Sequence, residues 1–213
     1  GAMDEIAAQA RYLDAADLAP AARTEIEAEL AWARDFAARH GGADQPVRLV
    51  LTDTHPGNFL IDAQGRAVIV DLEKALYGAP GTDLAHATLY SSTTWDADTH
   101  AELSVDQLGA YYRDYLEVVG PELAGQIQPW LIPMRRITFL RAITWCVMWS
   151  VEHRRAAQAP TGESARDWSA DNTDPALIAH VAGRVADYLR PRTLRRMRAE
   201  WLETPGLNGE LGG

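Results

Sequence analysis

Cysteine is nearly missing from this sequence. Cys146 is the only one in 213 residues, which excludes an internal disulfide framework and a cysteine-built zinc site. Such a chain is expected in a reducing compartment, the cytoplasm. Flanked by Trp145, Val147, Met148 and Trp149, the thiol reads as an apolar filler rather than a nucleophile. Basic residues are also scarce: 20 Lys and Arg against 30 Asp and Glu give a net charge of -10. That balance argues against a nucleic-acid backbone or an anionic membrane as partner and would suit a small cationic one. The longest apolar run, Leu131 to Val151, carries Arg135, Arg136 and Arg141 within it, which excludes it as a membrane span. No internal repeat or low-complexity linker divides the chain.

Against these absences stands a hydrophobic content of 47%, enough for a sizeable core, and the chain is expected to fold as one unit. Alanine-rich Asp4 to Asp17, with Ile6, Ala10 and Leu13 at helical spacing, predicts a short amphipathic helix. A second is expected over Ala21 to His40, closed by Gly41-Gly42. The pattern then changes period. Arg48 to Leu51, Phe59 to Ile61 and Ala67 to Val70 read as short strands, the last two joined by a hairpin over Asp62 to Arg66. Centring that hairpin between Gln64 and Gly65 would set Asn58 directly opposite Asp71. Ala75 to Gly81 reads as a Gly/Pro loop, with Asp83 capping an apolar helical segment from Leu84 to Tyr90.

Downstream, helices predominate. Ser104-Val105-Asp106-Gln107 is a capping-box pattern opening a helix that ends at Gly120-Pro121. A long helix is expected from Leu131 or Met134 to Gln158, then a polar loop from Pro160 to Asp174. Further helices run from Pro175 to Leu189, with Asp174 as N-cap, and from Pro191 to Glu203. The segments 1–3 and 204–213 are expected to be a tag remnant and a flexible Gly-rich tail, leaving 4–203 as the folded lobe.

Asp53, Asn58 and Asp71 are the chemistry-bearing residues of this plan. An aspartate, an asparagine five residues on, and a second aspartate after an apolar strand match the base and two metal ligands of kinase-type phosphoryl transfer. One carboxylate would orient the acceptor hydroxyl, and two hard oxygen donors would hold Mg²⁺ against the nucleotide phosphates.

The stretches Asp53-Thr54-His55-Pro56-Gly57-Asn58-Phe59-Leu60, Val68 to Ala75 and Pro80 to Ala85 resemble the aminoglycoside phosphotransferase and choline kinase-like enzymes, which have a protein-kinase-like fold. The resemblance implies a mainly α C-terminal lobe with a small β-hairpin. It implies ATP and Mg²⁺ as cofactors and a small-molecule hydroxyl acceptor. Asp53 would be the catalytic aspartate, Asn58 and Asp71 the magnesium and nucleotide ligands, and Asp83 a structural brace behind the loop. Two departures qualify the match. The family usually writes His-Gly-Asp where this chain has Leu51-Thr52-Asp53. No Gly-rich loop or strand lysine precedes Asp53, so the N-terminal lobe is expected to be absent from this chain, and the fragment alone is expected to bind Mg·ATP poorly and be inactive.

Two other functions stay open on the residues. The missing histidine leaves room for a catalytically impaired pseudokinase or binding module. Asp53-Thr54-His55 also has the Asp-x-His form that opens metal-dependent phosphoesterase sites. His55 is otherwise a turn residue before Pro56, and Lys74 a solvated loop charge or a phosphate contact. Trp145 and Trp149, four apart on one helical face, read as a core stripe with a cation wall as the alternative. Trp95, beside Asp96 and Asp98, is a possible substrate contact or a packed surface residue.

Overall fold

The computed structural model describes residues 1–41, 45–158, 174–203 and 206–211. The described residues are mostly helical, with four strands of three residues each. In chain order they are α1 (Ala2–Ala10), α2 (Pro20–His40), β1 (Arg48–Val50), β2 (Phe59–Ile61), β3 (Ala67–Ile69), β4 (Leu76–Gly78), α3 (Gly81–His86), α4 (Tyr90–Thr93), α5 (Val105–Val119), α6 (Pro121–Ile127), α7 (Leu131–Gln158), α8 (Pro175–Tyr188), α9 (Pro191–Leu202) and α10 (Gly206–Leu211). Of the expected polar loop after α7, residues 160–173 lie outside the described residues. None of the described helices is long and apolar enough to cross a membrane.

Instead of one unit the chain forms two, the first comprising Gly1–Ala38 and Leu140–Arg195. Its buried residues include Ile6, Ile26, Leu30, Ile143, Val147, Val181, Val185 and Tyr188. Polar contacts fix α1 on α7: Arg141 donates to Glu5 at 2.8 Å, and the Thr144 hydroxyl to Gln9 at 2.7 Å. The helix expected over Asp4 to Asp17 breaks after Ala10 and resumes as a 3₁₀ turn over Leu13–Ala15. Trp145 and Trp149 stack along α7 at 6.4 Å, and His153 continues the stack at 4.4 Å from Trp149. Cys146 is 2% exposed, and burial pushes its thiol up to about 12, as befits a filler.

The second unit, Arg39–Phe139 with Arg196–Gly213, holds Asp53, Asn58, Asp71 and Asp83. Leu84, Leu108, Tyr112, Ile127, Leu131, Leu207 and Leu211 form its apolar cluster. Helix α5 begins with the expected capping box: Ser104 Oγ accepts from Gln107 N at 3.2 Å, and Gln107 Oε1 accepts from Ser104 N at 2.9 Å. Residues 206–211, expected in a frayed tail, instead form α10, with Leu207 fully buried and Arg113 of α5 donating to Glu210. Two leucines at i and i+4 give this short helix an apolar face to bury. Leu207→Ala is therefore expected to destabilise the protein by about 2 kcal/mol, read as a lower urea midpoint. A frayed tail would leave that midpoint unchanged.

Both strand pairs are antiparallel, β1 with β4 and β2 with β3. Strand β4 lies within the segment read as a Gly/Pro loop. Hairpin register also differs from the expected one. Phe59 faces Ile69 and Ile61 faces Ala67, so the turn is centred on Gln64, with Gly65 at φ 77°. That is a three-residue loop, one residue longer than a two-residue turn, and the left-handed conformation comes most easily to glycine. Asn58 consequently meets Val70, whose N–H donates to the Asn58 carbonyl at 2.9 Å. Asp71 falls one residue past that pair.

Candidate active site

A short polar loop, Leu51 to Asn58, carries two of the three motif residues, and helix α3 holds it from behind. Asp83 was expected to cap a helix; it lies inside the first turn of α3 and points its carboxylate at the loop. Its Oδ2 accepts from Leu51 N at 2.7 Å and its Oδ1 from Thr52 N at 2.8 Å, while its carbonyl accepts from the Thr54 hydroxyl at 3.0 Å. The start of α3 can seat this closely because residue 81 is glycine: a Cβ there would come within 2.9 Å of Met134 Cβ on α7.

Burial raises the pKa of Asp83, and the two amide bonds offset that only in part. A carboxylate raised in the folded state favours folding toward low pH, and that contribution fades as pH rises through its folded value. Asp83→Ala leaves two amides without an acceptor but removes a half-buried charge. The net loss is expected to be about 1–3 kcal/mol, measured by denaturant titration at neutral pH.

Asp53 follows directly on this braced segment, its side chain 21% exposed. Burial opposes its ionisation, but the Lys74 bond and the charges of Lys74, His86 and His55 outweigh that and hold its carboxyl below the usual range. Lys74 Nζ donates to Asp53 Oδ2 at 2.5 Å, and His86 Nε2 lies 4.0 Å from Oδ1. The ring's other nitrogen, Nδ1, is 3.4 Å from Ser92 Oγ. Sequence reading missed both neighbours, taking Lys74 for a solvated loop charge or a phosphate contact and assigning His86 no part in the site. The pairing spans 21 residues, and no local pattern announces it.

Asn58 is 7% exposed, and its amide Nδ2 donates to the Asp53 carbonyl at 2.8 Å. This bond fixes the amide's orientation, leaving its oxygen as the group available to a ligand. Asp71 is exposed and adopts φ 60°, a conformation uncommon for a non-glycine residue. Thr52 does the same at φ 62° and is buried. Its hydroxyl donates to the Lys74 carbonyl at 3.1 Å, tying the segment after Asp71 to the loop before Asp53. One amide oxygen and one carboxylate are hard donors of the kind magnesium takes from protein, leaving other positions for water and phosphate.

His55 Nδ1 accepts from Gly57 N at 3.2 Å and so caps the 3₁₀ turn Pro56–Asn58. Among the described residues, no three His, Cys, Asp or Glu side chains cluster as a metal-binding group. The segment holding Trp95 closes on itself where Thr93 and Ala101 exchange two bonds, at 2.6 and 2.9 Å. It reaches the site through Asp96: a Cβ on Gly57 would lie 2.3 Å from Asp96 Oδ2, so position 57 admits only glycine without displacing that carboxylate. Trp95 itself is half-buried.

No curated protein and no solved structure matches this chain. A family model does, over residues 2–121, more than half of the chain and including the whole loop, hairpin and α3: it is described as APH, the phosphotransferase enzyme family. This chain belongs to that family.

Proposed function

We propose that this protein transfers the γ-phosphoryl group of ATP, with Mg²⁺, to a hydroxyl of a small molecule, and that residues 4–203 act as a kinase-type C-terminal lobe. The observation that carries the reading is the bond from the Asn58 amide to the Asp53 carbonyl. It sets a base candidate and a metal-ligand candidate side by side on a loop braced by Asp83.

In this reading Asp53 accepts a hydrogen bond from the acceptor hydroxyl and orients its oxygen toward the phosphorus. Asn58 Oδ1 and the Asp71 carboxylate would hold magnesium. The metal, when bound, supplies positive charge at the phosphate oxygens. The segment with Trp95, Asp96 and Asp98 would line the acceptor side, where an aromatic face and carboxylates suit an amine-bearing alcohol.

The strand pairs support a further part of the proposal. Leu49, Leu60, Ile61, Leu72, Leu76 and Tyr77 are each more than half exposed, and this much exposed apolar side chain on short strands suits an interaction face. We assign it to an N-terminal lobe that completes the nucleotide cleft.

The test is transfer of labelled phosphate from [γ-³²P]ATP to a panel of amino alcohols, aminoglycosides and sugars, using the longest natural polypeptide that contains this chain. Magnesium-dependent labelling of a hydroxyl acceptor is expected, with little from residues 1–213 alone. Hydrolysis of a generic phosphate ester with no use of ATP as donor would instead favour the phosphoesterase chemistry of Asp53 and His55. Binding without turnover would favour a pseudokinase.

A further inference from the structure

Lysine occurs once in this sequence, at position 74, while the remaining 19 of its 20 cationic Lys and Arg residues are arginine. That one lysine is in contact with Asp53. The two side chains differ in a way that matters here. Arginine's planar fork suits paired oxygens, whereas an ammonium is a compact point charge that can occupy one carboxylate oxygen and leave the other open.

Exposed ion pairs ordinarily contribute little because holding two flexible side chains costs entropy. Lys74 is 53% exposed, so net stability is a poor reason for its presence. Its backbone, however, is fixed to the same loop, since the Lys74 carbonyl accepts from the Thr52 hydroxyl at 3.1 Å. Residue 74 therefore grips consecutive residues of the loop, Thr52 through its main chain and Asp53 through its side chain. Across the carboxylate, His86 Nε2 stands 4.0 Å from Oδ1, beyond hydrogen-bond range.

We propose that Lys74 is a positioning residue for Asp53: its ammonium occupies Oδ2, so that Oδ1 is the oxygen presented to the acceptor hydroxyl. The effect on turnover rests on the phosphotransferase reading; the contact does not. In the transfer step, the acceptor's O–H bond breaks as its proton passes to Asp53 Oδ1. The acceptor oxygen forms the new bond to the γ-phosphorus, and the bond from that phosphorus to the bridging oxygen breaks, releasing ADP. Kinase-type transition states place little demand on base strength and much on the line of attack. A cation that weakens Asp53 as a base but fixes its direction is consistent with that chemistry.

Two measurements test this. In the natural polypeptide, Lys74→Met is expected to lower kcat by about 10- to 100-fold with KM for ATP and acceptor within about threefold of normal, because the interaction acts on orientation in the transition state. Lys74→Arg should recover only part of the loss, and added methylammonium should raise the rate of Lys74→Ala but not of the unaltered protein. Unchanged kcat in Lys74→Met, or a loss carried wholly by KM, overturns the proposal. The second readout needs no activity: protein labelled with ε-¹⁵N-lysine gives a Lys74 side-chain ammonium resonance, assigned by its loss in Lys74→Met, which is expected to move in Asp53→Asn. An unmoved resonance overturns the contact. If the unaltered protein transfers no phosphate, the functional reading fails by itself, and the resonance still decides whether Lys74 holds Asp53.

Discussion

Asparagine in place of Asp53 is expected to lower kcat by about 10²- to 10⁴-fold, the range usual for loss of a positioned general base. KM for ATP should change little, since Asp53 faces the acceptor in the proposed arrangement. The amide keeps the side chain's size, so the loop retains its Asp83 anchor, and Asn58 still bonds the residue 53 carbonyl. Equal thermal denaturation of the variant and parent would show that the loss is chemical. Turnover near the parent's would sink the assignment of Asp53 as base.

Arg135→Met is expected to destabilise the protein by about 3–5 kcal/mol, the cost of stranding one partner of a buried pair. Arg135 has no exposed surface. Its Nε donates to Glu200 at 2.6 Å, and its Nη1 donates to the Thr88 hydroxyl at 2.8 Å and to Tyr112 at 3.3 Å. Burial opposes its charge, but the Glu200 carboxylate and Tyr112 outweigh this and hold the guanidinium more firmly protonated. A methionine fills much of the space yet leaves Glu200 facing an apolar wall and Thr88 without its donor. Adding Glu200→Leu to Arg135→Met should restore most of the lost stability, because removing both charges removes the desolvation cost with them. If the double variant is as unstable as the single one, the loss lies in the Thr88 and Tyr112 bonds instead. Thr88 follows the helix that carries Asp83, so the single variant is also expected to loosen the active-site loop.

The arginines within the apolar run Leu131 to Val151 were enough to exclude a membrane span, yet only the fold explains Arg135, whose partner lies 65 residues away. Helices with marked ends were legible in the sequence: the Ser104 box and the Asp174 cap, which accepts from Ala176 N at 2.9 Å, both form as their residue types require. The proximity of Asp53 and Asn58 was legible for the same reason, since a five-residue spacing is local. Strand β4 was not, because Leu76-Tyr77-Gly78 lies between alanine, proline and glycine, and its ladder partner is β1, with Tyr77 paired to Leu49, 28 positions earlier. Nor was the hairpin register, where one residue of loop length moved Asp71 off the position facing Asn58. Long-range pairs such as Lys74 with Asp53 leave no periodicity to read.

Thr52 and Asp71 both adopt the left-handed region, and under the proposed function they would do so for different reasons. Such a conformation costs of the order of 1–3 kcal/mol for a non-glycine residue. At position 52 the hydroxyl bond to Lys74 offsets part of this, and a randomised library screened only for folding yield should enrich glycine and asparagine. The same screen at position 71 should also discard aspartate, whose side chain is exposed and has little else to hold it. A screen for turnover should bring aspartate back at 71 while leaving glycine acceptable at 52. Comparing the two libraries would separate a strain kept for shape from one kept for chemistry.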